Sequence, residues 1–174
     1  NKKKYAAFLL AKLLRYKLNQ LVLGSFTSSG LAPYILDAAS FSSNTYGLFG
    51  LYTSIKPQDL DNFLLLYRIT AERILDRKYG DAEIEYLKNK INADFEYTFE
   101  KTSLRADFYS ELFLYEQLTS SHQEELNNYL KVSKSDLNQV AREIFIQKPK
   151  ITIIDKYLTN NTFEKIWNKS KILI

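Results

Sequence analysis

Between Leu31 and Ser54 the chain runs Leu-Ala-Pro-Tyr-Ile-Leu-Asp-Ala-Ala-Ser-Phe, then Ser-Ser-Asn, then Thr-Tyr-Gly-Leu-Phe-Gly-Leu-Tyr-Thr-Ser. Two short runs of apolar, aromatic and small residues split by Ser42-Ser43-Asn44 predict a β-hairpin over about 33–54. Pro33 opens the first strand, where a missing N–H costs no ladder bond. Alternation then sets Tyr34, Leu36 and Ala38 on one face and Ile35, Asp37 and Ala39 on the other. In the second strand Leu48, Gly50 and Tyr52 oppose Phe49, Leu51 and Thr53. Gly47 and Gly50 leave room for a close neighbour, a packed helix in preference to an extended ligand. Nearly everything after the hairpin reads as helix, so the hairpin is expected to be the platform on which the helices pack.

Before it, leucines at helical spacing predict a helix over 5–23, stopped by Gly24, with residues 26–30 as a loop. After it, Pro57 begins a helix carrying Leu60, Phe63, Leu64, Tyr67, Ala71, Ile74 and Leu75. Gly80 breaks that pattern, and Asp81 is expected to cap a helix through Ile84, Leu87, Ile91, Phe95 and Phe99. Ser103 restarts a helix through Leu118, Thr119-Ser120-Ser121 breaks it, and a short helix carries Leu126, Tyr129 and Leu130. Ser133 and Asp136 form a capping-box start for Leu137, Val140, Ala141, Ile144 and Phe145. Pro149 ends that unit, and Ile151-Thr-Ile-Ile154 predicts a final strand at about 150–155. The class is α+β: helix, hairpin, five helices, strand. Residues 1–156 are read as one domain and 157–174 as a C-terminal appendage docking through Phe163, Ile166 and Trp167.

Composition excludes several functions. With 24 basic and 20 acidic residues interleaved, the +4 net charge predicts solvated helix faces rather than a nucleic-acid track. No cysteine is present, which excludes disulfides and thiolate chemistry. No apolar run approaches the length needed to span a membrane. Lys2-Lys3-Lys4 before Tyr5–Ala11 resembles a secretory leader, but Lys12, Arg15 and Lys17 interrupt it, so an amphipathic helix is expected. A start on Asn1 with no Met in the chain reads as an excised piece or a processed product.

The chemistry-bearing residues assemble no catalytic set. His122 stands alone, without the second His or Cys that a zinc site needs, and reads as a helix N-terminal surface residue. The pairs Glu83/Glu85 and Glu124/Glu125 read as solvated surface, and the five glycines form no phosphate loop. Lys88, Lys90, Lys101 and Tyr97 could touch RNA, but acids sit among them.

The order of segments over residues 5–156 resembles the non-catalytic half-domain of the pitrilysin, insulinase and mitochondrial processing peptidase family of inverted zincins. A leucine-rich helix leads to Gly30-Leu-Ala-Pro-Tyr-Ile-Leu-Asp-Ala-Ala39, then Tyr46-Gly-Leu-Phe-Gly-Leu-Tyr52 and a Pro57 helix start. Tyr79-Gly-Asp-Ala-Glu-Ile-Glu-Tyr-Leu-Lys88, Val132-Ser-Lys-Ser-Asp-Leu-Asn-Gln-Val-Ala141 and Ile151–Ile154 follow. The resemblance implies an α+β half that completes a peptide chamber for a partner carrying His-x-x-Glu-His, in cis or as a separate subunit. Zinc would lie in that partner and no cofactor in this chain. The short first helix is most similar to the bacterial zinc-protease branch, which implies the periplasm rather than the cytoplasm. Of the Arg and Tyr that the family turns toward substrate around the first strand, Tyr34 occupies the Tyr position, with Gly30 beside it. Residues Leu23 to Ser29 hold no Arg or Lys. The alternatives are a scaffold subunit of the same fold with no role in proteolysis and a helical nucleic-acid binder.

Overall fold

The computed structural model describes residues 2–29, 33–43, 45–111, 113–114, 121–147 and 149–155, with backbone alone for 25–29. Six helices and one hairpin follow in the order α1 (Lys2–Ser29), β1 (Ile35–Ser42), β2 (Gly47–Ser54), α2 (Leu60–Leu75), α3 (Asp81–Glu100), α4 (Thr102–Glu111), α5 (His122–Leu130) and α6 (Lys134–Phe145). A 3₁₀ turn at Pro57–Asp59 leads into α2. The class is α+β, as expected. Residues 157–174, with Phe163, Ile166 and Trp167, lie outside the described residues.

The hub of the packing is α1 rather than the hairpin. Tyr5, Ala6, Leu9, Leu10, Ala11, Leu13, Leu14, Leu18 and Val22 are all buried. At 100° per residue these positions cover roughly two thirds of the helix circumference, which marks a core helix rather than a surface one. Accordingly α1 touches β1, β2, α2, α3, α5 and α6. The main core gathers Leu9, Leu10, Leu13 and Leu14 with Ile74, Leu87, Ile91, Leu126, Leu137 and Phe145. A smaller cluster of Leu18, Val22, Leu36 and Phe63 seals α1 and α2 against the hairpin.

Gly24 does not stop α1, which continues to Ser29. A mid-helix glycine costs about 1 kcal/mol relative to Ala, too little to end a helix unaided. The helix is therefore longer than the 5–23 span, and its shortness no longer argues for one family branch. The expected strand at 150–155 is absent as well: Ile151–Asp155 joins no ladder, and Ile154 is 98% exposed. β-branched residues favour a strand only where a neighbouring edge supplies hydrogen bonds and packing. The described sheet is β1 and β2 alone.

The helix ends are set by local chemistry. Ser133 Oγ accepts from the Asp136 N–H at 3.1 Å, and Asp136 Oδ2 accepts from the Ser133 N–H at 2.9 Å. Ser121 and Glu124 repeat the arrangement at the start of α5. In α3 the cap is Gly80 rather than Asp81; its N–H donates to Glu83 Oε2 at 2.8 Å. The end of α2 closes with Arg77 N–H on the Ile74 carbonyl at 3.0 Å and Lys78 N–H on the Arg73 carbonyl at 2.8 Å. This motif forces its middle residue into the left-handed region, where glycine is usual. Here that residue is Arg77, at φ 59°, at a cost of about 1 kcal/mol.

The cap at Ser133 gives a prediction with a definite sign. Hydrogen bonds from the Ser133 side chain and backbone hold the Asp136 carboxyl below its usual range. A carboxyl depressed in the folded state stabilises above its unfolded pKa, and the contribution is lost as pH falls through the folded value. Ser133→Ala should cost about 1 kcal/mol at neutral pH, and the deficit should shrink below about pH 4. Urea denaturation at pH 7 and pH 3 checks this; an equal deficit at both would contradict it.

Candidate functional site

The hairpin pairs β1 and β2 antiparallel from Ile35 opposite Ser54 to Ser42 opposite Gly47. Its tip is held by Ser43, whose Oγ accepts from the N–H groups of Thr45 and Tyr46 at 3.3 and 3.2 Å. One face turns inward, with Leu36 and Ala38 buried and Phe49 and Leu51 half-buried. Phe49 meets Phe145 of α6 edge-on at 6.1 Å. From Ile35 onward burial follows the predicted alternation, whereas Tyr34, expected on the face of Leu36 and Ala38, precedes the strand and is exposed.

Among the described residues the other face is open. Ile35, Phe41, Leu48 and Tyr52 are exposed, with Tyr34 and Tyr46 at the strand ends. Around Gly50 a Cβ would meet nothing within 4 Å, and at Gly47 only the Phe41 carbonyl at 3.6 Å. The expected close helix over these glycines is therefore absent among the described residues. The helices cover the opposite face, because Leu36 and Ala38 offer α1 the apolar surface there. Ile35, Phe41, Leu48 and Tyr52 share that face with Asp37, and an exposed, largely apolar sheet face is of the kind that partners and ligands use.

Tyr34 is 79% exposed and its hydroxyl has no hydrogen-bond partner among the described residues. Its backbone N–H donates to the Ser54 carbonyl at 2.8 Å, extending the ladder by one bond and fixing the residue at the start of the hairpin. Gly30 lies outside the described residues. On the face of Ile35, Asp37 stands opposite Tyr52; its Oδ1 meets Arg15 of α1 at 3.1 Å, and its Oδ2 accepts from the Tyr52 hydroxyl at 3.3 Å. That chain ties one aromatic of the open face to the core helix.

Away from the hairpin, no group of three or more His, Cys, Asp or Glu that could hold a metal occurs among the described residues. His122 opens α5 and stacks on Phe99 at 4.1 Å. Lys101 lies over the Tyr97 ring at 4.5 Å and bonds its hydroxyl. The carboxylate pairs are less uniform than expected. Burial alone would raise the Glu83 carboxyl, but Lys17 and the Gly80 N–H outweigh it and hold the group below the usual carboxylate range. Glu125 is buried rather than solvated, at 3% exposure. It accepts from the Tyr5 hydroxyl at 3.0 Å on both oxygens and pairs with Lys4 at 3.7 Å. Burial, chiefly, raises the Tyr5 phenol. Spacing carried the signal: Glu125 shares the stripe of Leu126, Tyr129 and Leu130 at i, i+1, i+4 and i+5. No helix of the described residues is long and apolar enough to cross a membrane.

No protein-family model matches the chain. No curated protein matches it. Among solved structures, a predicted insulinase family protease from Yersinia pestis superposes with a TM-score of 0.53 at 13% identity, over 95% of this chain and 38% of that one. At that identity the likeness is one of fold, and the chain has the fold of a portion of that protease, spanning 38% of its length.

Proposed function

We propose that the chain is the non-catalytic half of an insulinase-type zinc peptidase, which packs beside a His-x-x-Glu-His half and walls the peptide chamber between them. The observation that carries this reading is the likeness of nearly the whole chain to 38% of a longer predicted insulinase family protease. In it the open face of the hairpin looks onto the peptide. Tyr34, with Gly30 in the segment of sequence leading to it, contributes a hydroxyl and a ring to hold an extended backbone, while Leu48 and Tyr52 exclude water from it. Zinc, bound in the partner half, would supply the activated water there. This chain would orient the peptide and shield it.

A second reading, a scaffold subunit with no part in proteolysis, is favoured by the absence of Arg and Lys between Leu23 and Ser29. Co-expression with a His-x-x-Glu-His half separates the two. If the chain lines the chamber, the pair cleaves peptides in a zinc-dependent way, and Tyr34→Ala raises KM about ten-fold, the effect of losing roughly 1.4 kcal/mol of contact. Tyr34→Phe then falls between. A zinc-dependent peptidase indifferent to both substitutions would rule out the substrate role.

A further inference from the structure

Where α2 hands over to α3, a cavity of about 390 Å³ open to solvent is lined by Arg77, Lys134, Ser135 and Asn138. Every side chain on that wall can donate a hydrogen bond. Arg77 has no carboxylate partner among the described residues, because the neighbouring acids are taken. Asp76 pairs with Lys78 at 2.9 Å, and Asp81 with Lys134 at 3.0 Å. The guanidinium lies close enough to Tyr79 to oppose the rise that burial imposes on that phenol. Asn138 is only 9% exposed, and its Oδ1 accepts from the Tyr79 hydroxyl at 2.5 Å. That bond orients the amide so that Nδ2 is the end without a partner among the described residues. The side chain is nine-tenths buried, and both N–H donors of Nδ2 are unused by the described residues and reach solvent, where a ligand can meet them.

We propose that this cavity binds a small oxyanion, a phosphate or a carboxylate, with the Arg77 fork and Asn138 Nδ2 as principal donors. Ser135 supplies a hydroxyl, and Lys134, shared with Asp81, a partly neutralised second charge. An acceptor-only ligand is what a wall of donors selects, and the planar Arg77 fork matches two oxygens of one group. The site is separate from the open face of the hairpin and does not depend on the peptidase reading. It also gives a reason for Arg77 at a backbone position that favours glycine, since a glycine there would close the helix and bind nothing.

The test is a titration of the full chain with sodium phosphate, and separately with sodium acetate, at ionic strength held constant with sodium chloride, followed by amide NMR shifts. The expected result is saturable shifts confined to residues 77–79 and 134–138, with Kd below about 10 mM for at least one anion. The tighter anion tells a phosphate source from a carboxylate one. Arg77→Gly, which suits the left-handed turn, should weaken binding about ten-fold while leaving Tm equal or higher. Lys134→Gln should weaken it less. No saturable shift with either anion, or shifts that Arg77→Gly leaves unchanged, would overturn the proposal.

Discussion

Replacing Leu13 with Ala should lower the free energy of unfolding by about 3–4 kcal/mol, the upper part of the range for a core leucine that cannot collapse onto its cavity. Leu13 is 0% exposed and belongs to the cluster that joins α1 to the sheet and the later helices. A void there borders several elements at once, so no single neighbour can move to fill it. Against a typical total of about 5–15 kcal/mol, that loss is a large fraction of the stability. Leu23 on the same helix is 67% exposed, and Leu23→Ala should stay within about 0.5 kcal/mol. Urea midpoints at unchanged m-values measure both. Equal losses for the two variants would show that α1 is not the hub.

The second large effect belongs to Glu125. Glu125→Ala should cost about 3 kcal/mol, because it removes one partner of a buried network and strands the others. Lys4 would keep its charge with little solvent access, and the Tyr5 hydroxyl would lose its acceptor, although Asn128 still donates to it at 3.2 Å. Tyr5→Phe, which deletes only a donor, should cost about 1 kcal/mol. The two changes should fall short of additivity by more than 0.5 kcal/mol, roughly the coupling seen for groups in one network. A loss under about 0.5 kcal/mol for Glu125→Ala would mean that the carboxylate is hydrated as a surface group is.

Much of this molecule can be read from its residues wherever the controlling physics is local. The hairpin is visible because alternation decides which of Leu36 and Ile35 faces the core. The start of α6 is visible because Ser133 and Asp136 satisfy each other within four residues. What escaped depends on distant partners. The leucines of α1 look like one stripe of a surface helix until α6, α3 and the hairpin close over the other positions. Ile151–Ile154 has the composition of a strand but finds no edge among the described residues. The conformation of Arg77 is a product of how α2 closes, and Gly80 drew attention to a boundary three residues too late. For the candidate site, alternation shows which hairpin residues share a face, as Ile35 and Phe41 do, but not that the helices leave that face uncovered. The burial of Glu125 was legible in principle, but two adjacent acids suggest surface more strongly than spacing suggests core.

The position of α1 in the chain also bears on how the molecule reaches its native state. Its cap-side contacts are made with residues far along the sequence: Lys3 bonds Glu143, 140 positions later, and Tyr5 bonds Glu125, 120 positions later. This leucine-rich helix precedes α5 and α6 in the chain and waits for them before its surface can be covered. Native contacts of such high sequence separation slow folding, since loop closure must precede the reward of burial. During that interval an uncovered leucine-rich helix is a target for chaperones and for self-association. A chain cut before α6 would leave Leu9, Leu10, Leu13 and Leu14 partly uncovered, so truncations at this end should aggregate rather than fold.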